Sequence, residues 1–220
     1  MDEQPIRMSL VHREDWSDIG AALARRVVDL PAMLASFNPR ARSGENGDRI
    51  SRVARMLGEA QQAGETITPA AEWLLDNAYL VDEAIAETRR DLPERFYSQL
   101  QKIEGSRIPR ALAIAWQYVA HSDSAVSEDD FRAIVDGFQT VEPLQIGELW
   151  ALPSLLRCVL VENLRRLSVR IERAREMRLL ANRLADRIAS APDDGDVAIL
   201  EGHAGSAADP TFATQLLHRL

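Results

Sequence analysis

Several things are scarce in this 220-residue chain, and each scarcity excludes something. Cysteine occurs once, at Cys158, so no intramolecular disulfide and no thiolate metal cluster can form. Positive charge is in deficit: 26 Lys and Arg stand against 34 Asp and Glu, a formal charge of −8, which argues against a dedicated nucleic-acid binder. Lysine occurs only at Lys102, the other cations being arginines. No apolar run approaches the roughly 18 residues of a membrane span. The N-terminus, MDEQPIRMSL, lacks the basic start and apolar core of a signal peptide, so the expectation is a soluble, cytoplasmic product. Strand signals are nearly missing, the segment Asp196 to Leu200 being the one weak candidate. Gly-rich phosphate loops, Ser-His-Asp arrangements and paired glycosidase acids cannot be placed at all.

What is present is helical periodicity. The composition, 46% hydrophobic and 27% charged, suits a globular protein. The stretch from Ile146 to Leu167, IGELWALPSLLRCVLVENLRRL, is the most apolar. Its Leu149, Trp150, Leu152, Leu155, Leu156, Val159 and Leu160 recur at three- and four-residue steps over more than one face, which predicts a central helix buried on several sides. Glu148, Arg157, Glu162 and Asn163 sit inside that run, and a buried charge is costly without a partner. Glu162 can reach Arg165 or Arg166 along its own helix, whereas Arg157 needs an acid from elsewhere, for which Asp76 is the candidate. Cys158 reads as a small buried hydrophobe.

Taken in order, the chain predicts a helix from Ser17, carried by Ile19, Leu23, Val27, Leu30 and Leu34 and split at Pro31 near Asp29. FNPRARSGENGD then reads as a loop or linker, placing a boundary at residue 48 between an N-terminal helix-plus-linker (1–48) and a helical domain (49–220). A short helix through Ile50, Val53 and Leu57 stops near Gly64. Thr68-Pro69 starts the next, burying Leu74, Val81 and Ile85, with Glu72, Asp76, Glu83 and Glu87 on another face. A short helix with Phe96, Tyr97 and Leu100 follows Pro93. Another from Pro109 buries Leu112, Trp116 and Val119. Ser127, with Asp130 three residues on, caps a helix carrying Phe131, Ile134 and Phe138. The central helix is expected to continue to about residue 189. Pro192 to Pro210 reads as a loop, and TFATQLLHRL as a helical stripe that stops without a cap, which suggests truncation. The fold class is all-α, a multi-helix domain around a long central helix (about 146–189).

Three motifs in order, TPAAEWLLDN (Thr68 to Asn77), VAHSD (Val119 to Asp123) and PLQIGELWALPSLLRCVLVENLRRL (Pro143 to Leu167), resemble the N-terminal region of bacterial cyclic β-1,2-glucan synthases. These are large inner-membrane enzymes combining a glycosyltransferase with a phosphorylase-like module. The resemblance runs over about residues 50 to 220 and does not reach the catalytic modules. It implies a parent that uses UDP-glucose and a divalent metal to extend a β-1,2-glucan. This chain would be a non-catalytic accessory domain or fragment, partnered by the remaining portion of the synthase or another protein at the inner-membrane face. A stand-alone helical interaction module with no carbohydrate role is the alternative.

No catalytic, cofactor-binding or metal residue is assigned. The residues singled out are structural: Trp73, Asp76, Asn77, Trp116, Glu148, Trp150, Arg157, Glu162 and Asn163, all expected in the core. His121 and Asp123 lack further ligands at metal spacing and read as a helix end. Asp194-Gly195-Asp196 has the D-x-D form of metal-dependent glycosyltransferases, but in an acidic loop without Rossmann-like strands it reads as chance. Arg165 to Arg187 holds eight arginines and three acids, either a salt-laced surface helix or a face for docking on an acidic membrane.

Overall fold

A computed structural model describes residues 4–25, 34, 38–104, 106–190, 206 and 208–220. Among these the protein is all-α, with no strand and one isolated antiparallel bridge between Lys102 and Pro109. A 3-10 turn, Arg13–Asp15, leads into α1 (Trp16–Arg25). Then come α2 (Pro39–Gln62), α3 (Pro69–Asp91), α4 (Glu94–Gln99), α5 (Arg110–Ser122), α6 (Glu128–Gln139), the long α7 (Ile146–Ala189) and α8 (Pro210–Arg219). Packing divides the chain inside α7, into units Met1–Leu167 and Ser168–Leu220.

Helix boundaries follow local chemistry. Thr68 accepts a hydrogen bond from Ala71 N, with Pro69 in the first turn, and Ser127 accepts one from Asp130 N at 3.3 Å. α2 ends in a Schellman motif: Gly64 takes φ +80°, Glu65 N donates to Ala60 O and Gly64 N to Gln61 O, both at 3.0 Å.

The stretch read as a linker is a correction. Residues 39–48 are the first turns of α2, begun by Asn38, whose Oδ1 accepts from Ala41 N at 3.3 Å, with Pro39 at the first helical position. Its small residues are there for packing. A Cβ on Gly44 would lie 2.8 Å from Arg89 Nη2, and one on Gly47 2.6 Å from Ile85 Cδ1, so the glycines let α3 side chains press against the α2 backbone. Ser43, Gly47, Ile50, Ala54 and Leu57 form a buried stripe at helical spacing.

In the first unit, α5 is the most enclosed element, buried at every position from Arg110 to Ala120. Its Leu112, Ile114, Tyr118 and Val119 share one core with Ile134 and Phe138 of α6 and Leu155 and Val159 of α7. Burying each such aliphatic side chain contributes about 1.5–3 kcal/mol. Ile6, Trp16, Leu23 and Leu34 belong to the same core, so the N-terminal segment is built into this unit. Trp16 lies 4.9 Å from the Tyr118 ring, which meets Phe131 edge-on at 5.0 Å. α1 and α6 cross at glycines. A Cβ on Gly137 would collide with the Ser17 backbone, and one on Gly20 would lie 2.7 Å from Phe138 N.

In the second unit, Ala181, Leu184 and Ala185 of α7 close on Phe212 and Leu216 of α8, with Met177, Leu180 and Ile188 at the margin. Gln215 donates to Asn182 Oδ1 at 2.9 Å and Arg219 to Asp186 at 2.6 Å. The expected split at Pro31, the strand candidate and the D-x-D at Asp194 and Asp196 lie outside the described residues.

Candidate functional site

Two buried ion-pair clusters hold the first unit, and both draw on α7. In one, Glu148 sits in the first turn. Its Oε2 accepts from Gln145 N at 2.9 Å, the reach-back of a capping box. Arg110 grips the same carboxylate from α5 through two bonds, Nε to Oε1 at 3.0 Å and Nη2 to Oε2 at 2.5 Å, and donates to Glu142 with Nη1. Burial alone would lower the Arg110 pKa; the hydrogen bonds and charge of Glu148, then Glu142, outweigh it and raise it. Arg110 and Glu148 lie 38 positions apart, so no local spacing announces the pair.

In the other, Glu162 is fully buried and gathers three guanidiniums: Arg166 at 2.9 Å, Arg165 at 3.2 Å and Arg42 of α2 at 3.6 Å. Burial would raise the Glu162 pKa, but hydrogen bonds and charge from Arg166 and Arg165 prevail and hold it below the usual carboxylate value. Arg166 also donates to Gln4 O at 2.7 Å and lies over the buried Trp116 ring, 5.5 Å from its centroid. Asn163 accepts from Ile6 N and donates to Ser124 Oγ, both at 2.7 Å. These bonds pin the N-terminal segment to α7.

Five of the singled-out residues stand elsewhere than expected, Arg157 among them because its side chain is half-buried. Trp150 is 76% exposed and Trp73 54% exposed, so neither is core. Ile146, Leu149, Trp150 and Pro153 mark the outer face of α7, while Ala151, Leu152 and Leu155 face inward; the apolar run is wider than the core it packs on. Asp76 is exposed and does not meet Arg157. Arg157 instead pairs with Glu87 at 3.1 Å and Asp91 at 3.9 Å, eleven and fifteen residues further along α3, at least about 16 Å from the Asp76 position. Asn77 lies partly exposed and donates to Trp73 O at 2.7 Å, a bond within its own helix.

Cys158 is buried, with its sulfur 3.9 Å from Ser43 Oγ. Burial pushes its thiol up to about 11, against hydrogen bonds from Ser43 and Thr88. His121 Nδ1 lies 2.7 Å from Ser9 O, and Asp123, in the left-handed region at φ 50°, pairs with Arg7 at 3.3 Å. Both serve the end of α5. The arginine run is not one free face: Arg165 and Arg166 are buried, and Arg173 pairs with Asp209 at 3.4 Å.

A cleft of about 150 Å³ lies at the start of α7, lined by Phe96, Gln99, Leu100, Gln145, Gly147 and Glu148. Its one carboxylate is already held by Arg110 and Gln145 N. Among the described residues no three His, Cys, Asp or Glu side chains are placed to hold a metal ion. Among them, too, no helix is long and apolar enough to cross a membrane.

No protein-family model matches the chain. Among curated proteins, it is 48% identical over 218 residues to the cyclic beta-(1,2)-glucan synthase NdvB of Rhizobium meliloti (strain 1021), covering 98% of this chain and 8% of that protein. The chain therefore spans about one-twelfth of the length of the relative it matches. Nearly end to end, its sequence is similar to the N-terminal portion of a cyclic β-1,2-glucan synthase.

Proposed function

We propose that this chain is a non-catalytic helical accessory unit of a cyclic β-1,2-glucan synthase, acting by scaffolding or regulation on the portion that transfers glucose from UDP-glucose to a growing β-1,2-glucan. The observation that carries the reading is the match itself, 48% identity over 98% of the chain, confined to 8% of the synthase. The geometry supports it. Glycosyl transfer needs a fixed site for a diphosphate and a base for the acceptor hydroxyl. Here Arg110, Glu148, Glu162 and Arg166 bind one another and the backbone, in the manner of a scaffold. The partner is then the remaining portion of the synthase, and the setting the cytoplasmic side of the inner membrane, reached through that polypeptide.

Two measurements test this. Purified protein given labelled UDP-glucose with Mg²⁺ or Mn²⁺ is expected to transfer no sugar above background; turnover that disappears in Asp194→Asn or Asp196→Asn would overturn the reading. The tagged chain, co-expressed with the remaining portion of a cyclic β-1,2-glucan synthase, is expected to co-purify with it, and failure to do so counts against an accessory role.

A further inference from the structure

The outer face of α3 carries a composition that packing does not account for. Its buried face is Leu74, Val81, Ile85 and Thr88. Opposite, within three turns, stand Glu72, Trp73, Asp76, Tyr79, Leu80 and Glu83, spaced so that all six fall on one stripe about 16 Å long. Trp73 is 54%, Tyr79 66% and Leu80 43% exposed. No hydrogen bond or ion pair among the described residues engages the carboxylates of Glu72, Asp76 or Glu83. Of the cations nearest in sequence, Arg89 reaches toward Gly44 of α2 and Arg90 pairs with Asp91 at 3.2 Å.

We infer that this stripe is a docking surface for a basic amphipathic helix of a protein partner. Resting on the accessory reading above, it gives that partner a chemistry and the contact a place. Two aromatic rings and a leucine offer an apolar strip; guanidinium groups laid over Trp73 and Tyr79 gain cation–π attraction, and the three carboxylates pair with cations spaced one and two turns apart. A helix-on-helix contact needs no concavity. The same carboxylates repel an anionic lipid surface or a nucleic acid, and a small sugar finds no enclosing wall on the outside of one helix.

The test uses the full chain and a fluorescein-labelled 18-residue Leu/Arg peptide of amphipathic helical pattern, against a scrambled peptide of the same composition. Anisotropy titration is expected to show the patterned peptide binding about tenfold tighter than the scramble, the equivalent of one good contact pair. Trp73→Ala/Leu80→Ala and Glu72→Gln/Asp76→Asn/Glu83→Gln, all at exposed positions and checked for unchanged circular dichroism, are each expected to weaken it by about tenfold or more. Equal binding of the scramble, or indifference to both variants, overturns the proposal. So does binding of phosphatidylglycerol-containing vesicles or β-1,2-gluco-oligosaccharides that is lost with Trp73. In the co-purification experiment, a triple-neutral variant that still carries the rest of the synthase would leave the accessory role standing and refute this face as the contact.

Discussion

Trp116 and Trp150 are the same side chain in opposite settings, 3% and 76% exposed. Trp116→Ala removes a ring packed under Arg166 and is expected to cost about 3–5 kcal/mol, whereas Trp150→Ala is expected to stay within about 0.5 kcal/mol, both read by urea denaturation. A large loss at Trp150 would place it in the core after all. Glu162 gives a second prediction. Its folded pKa lies below the ordinary 4.5, so the unfolded chain takes up its proton first as the solution is acidified. The stability it supplies is complete above the unfolded value and is lost as pH falls through the folded one. Glu162→Gln leaves three guanidiniums around a neutral amide and is expected to cost roughly 3–5 kcal/mol at pH 7, with the gap to the parent protein narrowing below about pH 4. A gap that widens in acid would refute the assignment. The need of Glu162 and Glu148 for partners was legible in the sequence, and Arg165 and Arg166 were named from helical spacing. Arg110 and Arg42 were not, because their contacts depend on how separate helices meet. Burial of Trp150 and Trp73 was misread because periodicity marks an apolar face without saying how wide the neighbour covering it is.

At the scale of elements, the α1–α6 crossing depends on two glycines with no room for a methyl group. Gly137→Ala is expected to destabilise by about 1–3 kcal/mol, even though alanine favours a helix over glycine by about 1 kcal/mol. Gly58→Ala in α2 is the control. There a Cβ would meet Leu75 Cδ2 at an ordinary 3.7 Å, so the helix preference prevails and stability is expected to rise by about 0.5–1 kcal/mol. Both are read from denaturation midpoints, and a reversed order would mean the helices cross elsewhere. The first turns of α2 show why local composition can mislead. Ser43, Gly44 and Gly47 weaken an isolated helix, and only the close approach of α3 to the two glycines and of Cys158 in α7 to Ser43 makes them useful, a fact absent from the local sequence. Amide hydrogen exchange at 44–48 is expected to be as slow as at 50–57; loop-like rates would restore the linker. The signals that did carry through were those with a local mechanism: Thr68-Pro69, Ser127 with Asp130, and Gly64.

At the scale of the whole molecule, the two units have separate cores. All four tryptophans, Trp16, Trp73, Trp116 and Trp150, lie in the first unit. Tryptophan fluorescence therefore reports that unit alone, while far-UV circular dichroism reports both. Phe212→Ala removes the largest side chain of the second core, at a cost of about 3–5 kcal/mol to that unit. It is expected to bring an early loss of helical signal with the fluorescence midpoint unmoved; a shared shift would show that the units melt as one.

Cys158 has a practical consequence of its own. Walled in behind Ser43 and Thr88, with burial pushing its thiol up to about 11, it is expected to stay unreactive while α2, α3 and α7 stay together. A thiol-reactive dye added to the native protein thus marks only molecules whose helices have parted, and the labelling rate counts those openings one at a time without any engineered probe. The same enclosure keeps two native chains from joining through their sulfurs, so storage in air leaves the protein as single covalent chains.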